Sequence, residues 1–259
     1  MEAFDRRHGP RGLSFAGEVG ALTSDPIVEP NDGFANMFAF YEPTVDTATP
    51  TTDGAELSQL LDLSGQVNTL TQSNASLRPL LDHDGPNGYW CVDLDGQSGV
   101  SKYIQHTGGL DGGPAIGGYL SAFIVARVNE TYQNSRGIFE VFGTGYTFSA
   151  GTTLGQWYVG GEYGNNYLGN FTVGEWTTLS YCVDGSNMRM HVNGVLVATL
   201  SPQDVNATLT RLRMGNPNTI APPISIASMA ICGVEDATAV YEWHRYVVSK
   251  FNLSHVEVP

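Results

Sequence analysis

The sequence predicts an all-β chain folded as a two-sheet antiparallel sandwich, with one C-terminal helix and an extended N-terminal arm. Three observations carry this. Short runs of alternating apolar and polar residues recur along the chain, the period-two signature of half-buried strands. Two Asx-Gly turns, Asp184-Gly185 and Asn193-Gly194, separate three such runs and predict a tight antiparallel meander. Gly is abundant at 31 residues, and the only lysines are Lys102 and Lys250, so many turns join weakly charged segments.

Residues 1–34 show no periodicity and carry Pro10, Pro26 and Pro30, which predicts an extended arm. Leu13, Phe15, Val19, Leu22, Ile27 and Val28 leave it apolar enough to dock, either on its own domain or on another subunit. Residues 35–259 form one predicted domain, since β-sandwiches of about 200–250 residues commonly fold as a unit. Within it, strands are expected at 36–41, 57–61, 119–129, 137–142, 156–160 and 167–171. Alternation of Leu179, Tyr181 and Val183, then of Met188, Met190 and Val192, then Val195-Leu196-Val197, gives the three meander strands. Strands at 209–214 and 224–232 complete the sheets. A helix is expected over 236–251 with Asp236 as N-cap. Its apolar face is Val240, Trp243, Val247 and Phe251, a packing surface.

The chain has 259 residues and a formal net charge of −14. Such a balance disfavours nucleic acid and anionic membranes, both of which need a basic face. Arg6, Arg7 and Arg11 nevertheless give the arm a basic tip. Cys91, Cys182 and Cys232 lie in predicted strands with no C-x-x-C pairing and are expected as buried free thiols. The first twenty residues contain no apolar run, so no signal peptide is expected. No run approaches the ~18 apolar residues of a membrane span.

Gly174, Trp176, Tyr181, Asp184, Gly185, Val192, Asn193 and Gly194 follow a G-x-W … Y-x-x-D-G … V-N-G order. This resembles the central meander of the concanavalin A-like (laminin-G-like) lectin superfamily, with Met190-His191 in place of a more usual aromatic. Asp62-Leu63-Ser64-Gly65-Gln66-Val67-Asn68-Thr69-Leu70-Thr71-Gln72, followed by Arg78-Pro79, resembles the opening of bacterial and phage members. Val92-Asp93-Leu94-Asp95-Gly96 resembles the strand and turn that follow in those members, and the resemblance implies a jelly roll over residues 36 to the C-terminus. It implies little about activity, because that fold hosts lectins, glycosidases and structural modules.

Jelly-roll glucanases need paired carboxylates on one strand face, about 5–5.5 Å apart in retaining enzymes. No such E-x-D-x-x-E pattern occurs. Glu140 and Glu162 each stand apart from other acids, and Glu140 is expected to face solvent. The six histidines lack metal-ligand spacing, and no nucleophile–base set is legible. No catalytic residue, metal or other cofactor is therefore expected. Asp82, Asp84, Asp93, Asp95 and Asp111 offer hard oxygens for Ca²⁺, the one cation considered. Aromatic faces with neighbouring amides suit sugars, and Trp157, Tyr158, Tyr163, Asn165, Asn166 and Tyr167 form such a cluster. The plainer reading of the same residues puts Trp157 and Tyr167 in the core, with Gly164-Asn165-Asn166 as a hairpin turn.

The combined expectation is a non-catalytic, lectin-like protein on the surface of a tailed-phage virion, made in the host cytoplasm. It would be a homo-oligomer held to other virion proteins by its arm, with a glycan as ligand. A carbohydrate-binding module of a bacterial surface protein is the alternative, and a glycoside hydrolase a further one.

Overall fold

The computed structural model describes residues 37–43, 52–94, 102–110, 119–130, 136–143, 146–153, 155–161, 166–184, 187–200, 209–215, 223–233 and 237–256. The expected arm at 1–34, with Arg6, Arg7 and Arg11, lies outside them, as do Asp184's partner Gly185 and the expected N-cap Asp236.

The described residues form two antiparallel sheets and one helix. In chain order the strands are β1 (Met37–Tyr41), β2 (Gln59–Leu60), β3 (Leu70–Thr71), β4 (Leu80–Asp82), β5 (Cys91–Asp93), β6 (Tyr103–Thr107), β7 (Tyr119–Val128) and β8 (Arg136–Gly143). They continue with β9 (Tyr146–Thr153), β10 (Gln156–Gly161), β11 (Asn166–Asn170), β12 (Trp176–Asp184), β13 (Met188–Val192), β14 (Val195–Leu200), β15 (Leu209–Gly215) and β16 (Ile224–Cys232). Helix α1 spans Ala237–Phe251. Sheet I runs β14-β13-β12-β7-β16-β5-β4, with β1 also paired to β16, and sheet II runs β11-β10-β9-β8-β15-β6-β3-β2.

Two layers of core explain the sequence pattern. Between the sheets, Ile124, Leu179, Tyr181, Met190 and Met229 of sheet I meet Ile104, Phe139, Val141, Trp157 and Leu212 of sheet II. On the outer face of sheet I, Phe123, Val125, Cys182, Ala230 and Cys232 pack beneath Val240, Trp243, Val247 and Phe251 of α1. The centre of sheet I is thus covered on both faces, while its edge strand β14 stays exposed. That is why all nine residues of β16 are buried and why its sequence is apolar at every position but Ser225 and Ser228. A register shift between Ile226 and Ser228 keeps Ile226 and Met229 on the inner face.

The meander forms as expected over β12–β14. Asn193 and Gly194 have φ of 52° and 84°, the positive values a type I′ hairpin requires. Asn193 also ties the turn to β12, its Oδ1 accepting from the Thr178 N–H at 3.0 Å. Strands β3, β4, β6 and β9 were not expected. The first two are too short to show a period. In β6 (YIQHT) Ile104 is the fully buried residue, and β9 (YTFSAGTT) is largely small and polar.

The Asp62–Gln72 motif is a clamp on the first strand. Asp62 Oδ1 accepts from the Phe40 and Ser64 N–H groups at 3.0 and 2.9 Å, and Oδ2 from the Asn68 N–H at 3.1 Å. Asn68 Nδ2 donates to the Phe38 carbonyl at 2.6 Å, while the Tyr41 hydroxyl donates to the Asn68 carbonyl. All three cysteines are free and buried, beneath the helix.

Candidate functional site

The candidate site lies on the outward face of sheet II. Alternation sends Leu212 and Met214 of β15 into the core and Arg211 and Arg213 the other way. Register places Arg213 opposite Gln105 of β6 on one side and Glu140 of β8 on the other. The three side chains join in a row. Arg213 Nη1 donates to Glu140 Oε2 at 2.8 Å, and Arg213 Nε and Nη2 donate to Gln105 Oε1 at 3.0 and 2.9 Å. The guanidinium also sits 5.3 Å from the centre of the Tyr103 ring.

Glu140 therefore does not face solvent as its alternation suggested. It is 6% exposed and ion-paired, because Arg213 lies over it from the neighbouring strand. Burial raises its carboxyl above the usual carboxylate range, with Arg213 and Arg211 only partly opposing this. Burial likewise lowers the Arg213 guanidinium. Loss of water is the common cause, and the pair offsets it. The register neighbours of Glu140 are Arg213 and Ser149, not a second carboxylate.

Beside this row is a cavity of about 310 Å³ lined by Ser58, Thr71, Gln72, Ser73, Arg78, Gln105 and Thr107. Three of its lining residues, Thr71, Gln72 and Arg78, come from the opening motif. Gln72 Nε2 donates to the Tyr103 carbonyl at 3.1 Å and its Oε1 accepts from the Asn74 N–H at 3.1 Å. Arg78 Nε donates to the Gln72 carbonyl at 3.0 Å and Nη2 to the Ser73 carbonyl at 3.2 Å. The 72–78 loop is thereby fixed on β6.

The aromatic–amide cluster fares differently. Trp157 is fully buried, with its ring 5.5 Å from that of Phe171, in the core between the sheets. It offers no face to a sugar, which corrects its assignment as a ligand residue. Tyr158 lies in β10, and Asn166 and Tyr167 in β11, where Tyr158 and Tyr167 are register partners; only their backbone is described. Tyr163 and Asn165 lie outside the described residues. Of the acids considered for Ca²⁺, Asp82 accepts from the Asp84 N–H at 3.0 Å, and Asp84 pairs with Arg127 at 2.9 Å. Asp95 and Asp111 lie outside the described residues.

Sequence reasoning missed Gln105, Arg213 and the cavity. The available signal was the alternation of Tyr103, Gln105 and Thr107 in β6, a strand that was not expected, and of Arg211 and Arg213 in the expected strand at 209–214.

Two further polar clusters sit under α1. Glu42, fully buried, meets Lys250 at 2.5 Å and accepts from the Tyr246 hydroxyl. His244 is also fully buried, 3.3 Å from Ser180 Oγ through Nε2, with its ring 6.5 Å from that of His191. Burial first, and His191 second, push the His244 imidazole down to about 4.

No family model matches the chain. No curated protein matches it significantly. Solved structures do resemble it. A Trypanosoma rangeli sialidase in complex with sialic acid matches with TM-score 0.60 and 9% identity, covering 86% of this chain and 35% of the sialidase. The binding domain of Paraclostridial Mosquitocidal Protein 1 matches with TM-score 0.61 and 12% identity, over 86% of this chain and 54% of that one. The binding domain of botulinum neurotoxin serotype G matches with TM-score 0.57 and 11% identity, over 83% and 51%. This chain thus spans between a third and about half of each neighbour. Likeness at such identity concerns the fold, a β-sandwich shared with binding domains and with part of an enzyme.

Proposed function

We propose that this protein is a non-catalytic, glycan-binding sandwich module whose ligand site is the polar cavity on the outward edge of sheet II. The observation that carries the reading is the cavity's lining. All seven residues are polar, and they come from a rigid frame of paired strands and a loop pinned by side-chain hydrogen bonds. A concave site with several fixed polar groups suits a hydroxyl-rich ligand. The fold shared with toxin binding domains supports a binding role. The pairing of Glu140 with Arg213 supports the non-catalytic reading, since the usual glycosidase arrangement sets two carboxylates across the scissile bond and Glu140 is committed to an arginine.

We further propose, from the opening motif that resembles phage members, that the module is displayed on a virion by residues 1–34, with Arg6, Arg7 and Arg11 contacting other particle proteins. A glycan array probed with the full chain tests the binding role: specific signal on any saccharide class is expected, and a blank array overturns it. For display, deletion of residues 1–34 is expected to abolish incorporation into particles while leaving saccharide binding intact. Incorporation of the shortened chain would overturn the anchoring role.

A further inference from the structure

We infer that the cavity of Ser58, Thr71, Gln72, Ser73, Arg78, Gln105 and Thr107 selects a saccharide bearing an anionic substituent, a carboxylate or a sulfate ester. This rests on the glycan-binding reading above and adds the charge of the ligand.

The first ground is the charge of the lining. The chain carries 26 acidic residues against 12 lysines and arginines. Yet the cavity wall holds one arginine and no carboxylate. In so acidic a molecule, a wall with a cation and no acid of its own favours an anion, although Glu56, outside the lining, shares that cation.

The second ground is how the donors are held. Arg78 spends its Nε and one Nη2 hydrogen on the carbonyls of Gln72 and Ser73. A third N–H reaches Glu56 at 3.3 Å, and that carboxylate is half exposed. Two of the five guanidinium N–H groups remain for a ligand. Gln105 is oriented from behind. Its Oε1 accepts two hydrogen bonds from Arg213, which Glu140 holds in turn, so the amide presents its NH₂ as donor toward the cavity. This gives the buried Glu140–Arg213 pair a role: it fixes which end of Gln105 meets the ligand. The remaining lining is four hydroxyls and the already engaged Gln72, so the unspent strong groups are donors. Donors in a fixed array prefer an acceptor-rich, negatively charged partner. The volume of about 310 Å³ is near the lower end for small-molecule sites, ~300–1,000 Å³. It has room for one ring with its substituent, not for a chain segment.

The test is titration calorimetry of the full chain with three matched oligosaccharide sets: neutral, uronate-bearing and sulfated. The expected result is at least tenfold tighter binding of one acidic set than of the neutral set, weakening as salt is raised. Gln105→Glu keeps an oxygen for Arg213 but replaces the NH₂ donor with a second negative oxygen. It should leave the thermal midpoint within a few degrees and weaken acidic binding at least tenfold. Arg78→Lys keeps charge but loses the fork, and should weaken binding less than Arg78→Gln. Equal binding of neutral and acidic sets overturns the anionic inference while glycan binding stands. Acidic binding that survives Gln105→Glu places the site elsewhere and overturns it too. No binding to any set overturns both.

Discussion

Arg213 and Glu140 face each other at 2.8 Å across β15 and β8, with side chains only 5% and 8% exposed. A buried ion pair is a weak source of net stability, but removing one member leaves a charge stranded without water. Glu140→Met should therefore cost about 3 kcal/mol or more in urea unfolding. The double variant Glu140→Met with Arg213→Met should recover most of that loss. If the double variant were as unstable as the sum of the single ones, the pair would not be acting as a unit.

Acid should loosen the helix from sheet I. His244 is fully buried and held neutral, its imidazole at about 4 against an ordinary 6.5. Facing it are His191 on β13 and Ser180 on β12, and no carboxylate is among the causes that shift it. A depressed imidazole means that the unfolded chain binds the proton more readily. Stability is then complete above the unfolded value and falls as pH drops from about 6.5 toward 4, by on the order of 3 kcal/mol. Thermal midpoints of the wild type and of His244→Leu, compared at neutral pH and near pH 5, check this. The wild type should lose more on acidification, and parallel losses would count against His244 as the group responsible.

The three thiols should be inert in the folded protein. Burial pushes Cys182 up to about 11, and Cys91 and Cys232 further in the same direction. At mildly alkaline pH a chromogenic disulfide reagent should titrate none of them, then all three once denaturant is added. Rapid native modification of any one would mean that the helix opens readily from sheet I.

Asp62 should matter more than its place in a loop suggests. Its carboxylate accepts three backbone N–H groups, from Phe40, Ser64 and Asn68. Hydrogen bonds to a charged group contribute about 1.5–3 kcal/mol each net of the exchange with water, and the sum is reduced because one side chain shares all three. Asp62→Ala should destabilise by about 3 kcal/mol in denaturant unfolding, and Asp62→Asn by clearly less, since one oxygen still accepts. A neutral Asp62→Ala would show that β1 does not depend on this clamp.

Local pattern was enough for much of the fold. Alternation located β8, β12 and β13, the strongly apolar stretch at 119–129 located β7, the Asn193-Gly194 pair located its turn, and the spacing of Val240, Trp243, Val247 and Phe251 located the buried face of α1. These signals are readable because each is a repeat, an apolar run or a φ requirement carried by adjacent residues. Strands β3 and β4 escaped, being too short to hold a period.

The site was mostly illegible, for a reason that Trp157 and Glu140 illustrate. Period two says that a strand has two faces, but not what lies over each. Trp157 could have faced a ligand, and Glu140 could have faced water; both are buried. What buries Glu140 is Arg213, 73 residues away in the chain. The cavity likewise draws its wall from residues 58 to 107, on two strands and the loops beside them. The sequence by itself determined most of the longer strands, the meander, the helix face and the buried thiols. Tertiary structure decided which polar side chains meet, because register between strands distant in sequence sets those distances, and no local pattern encodes register.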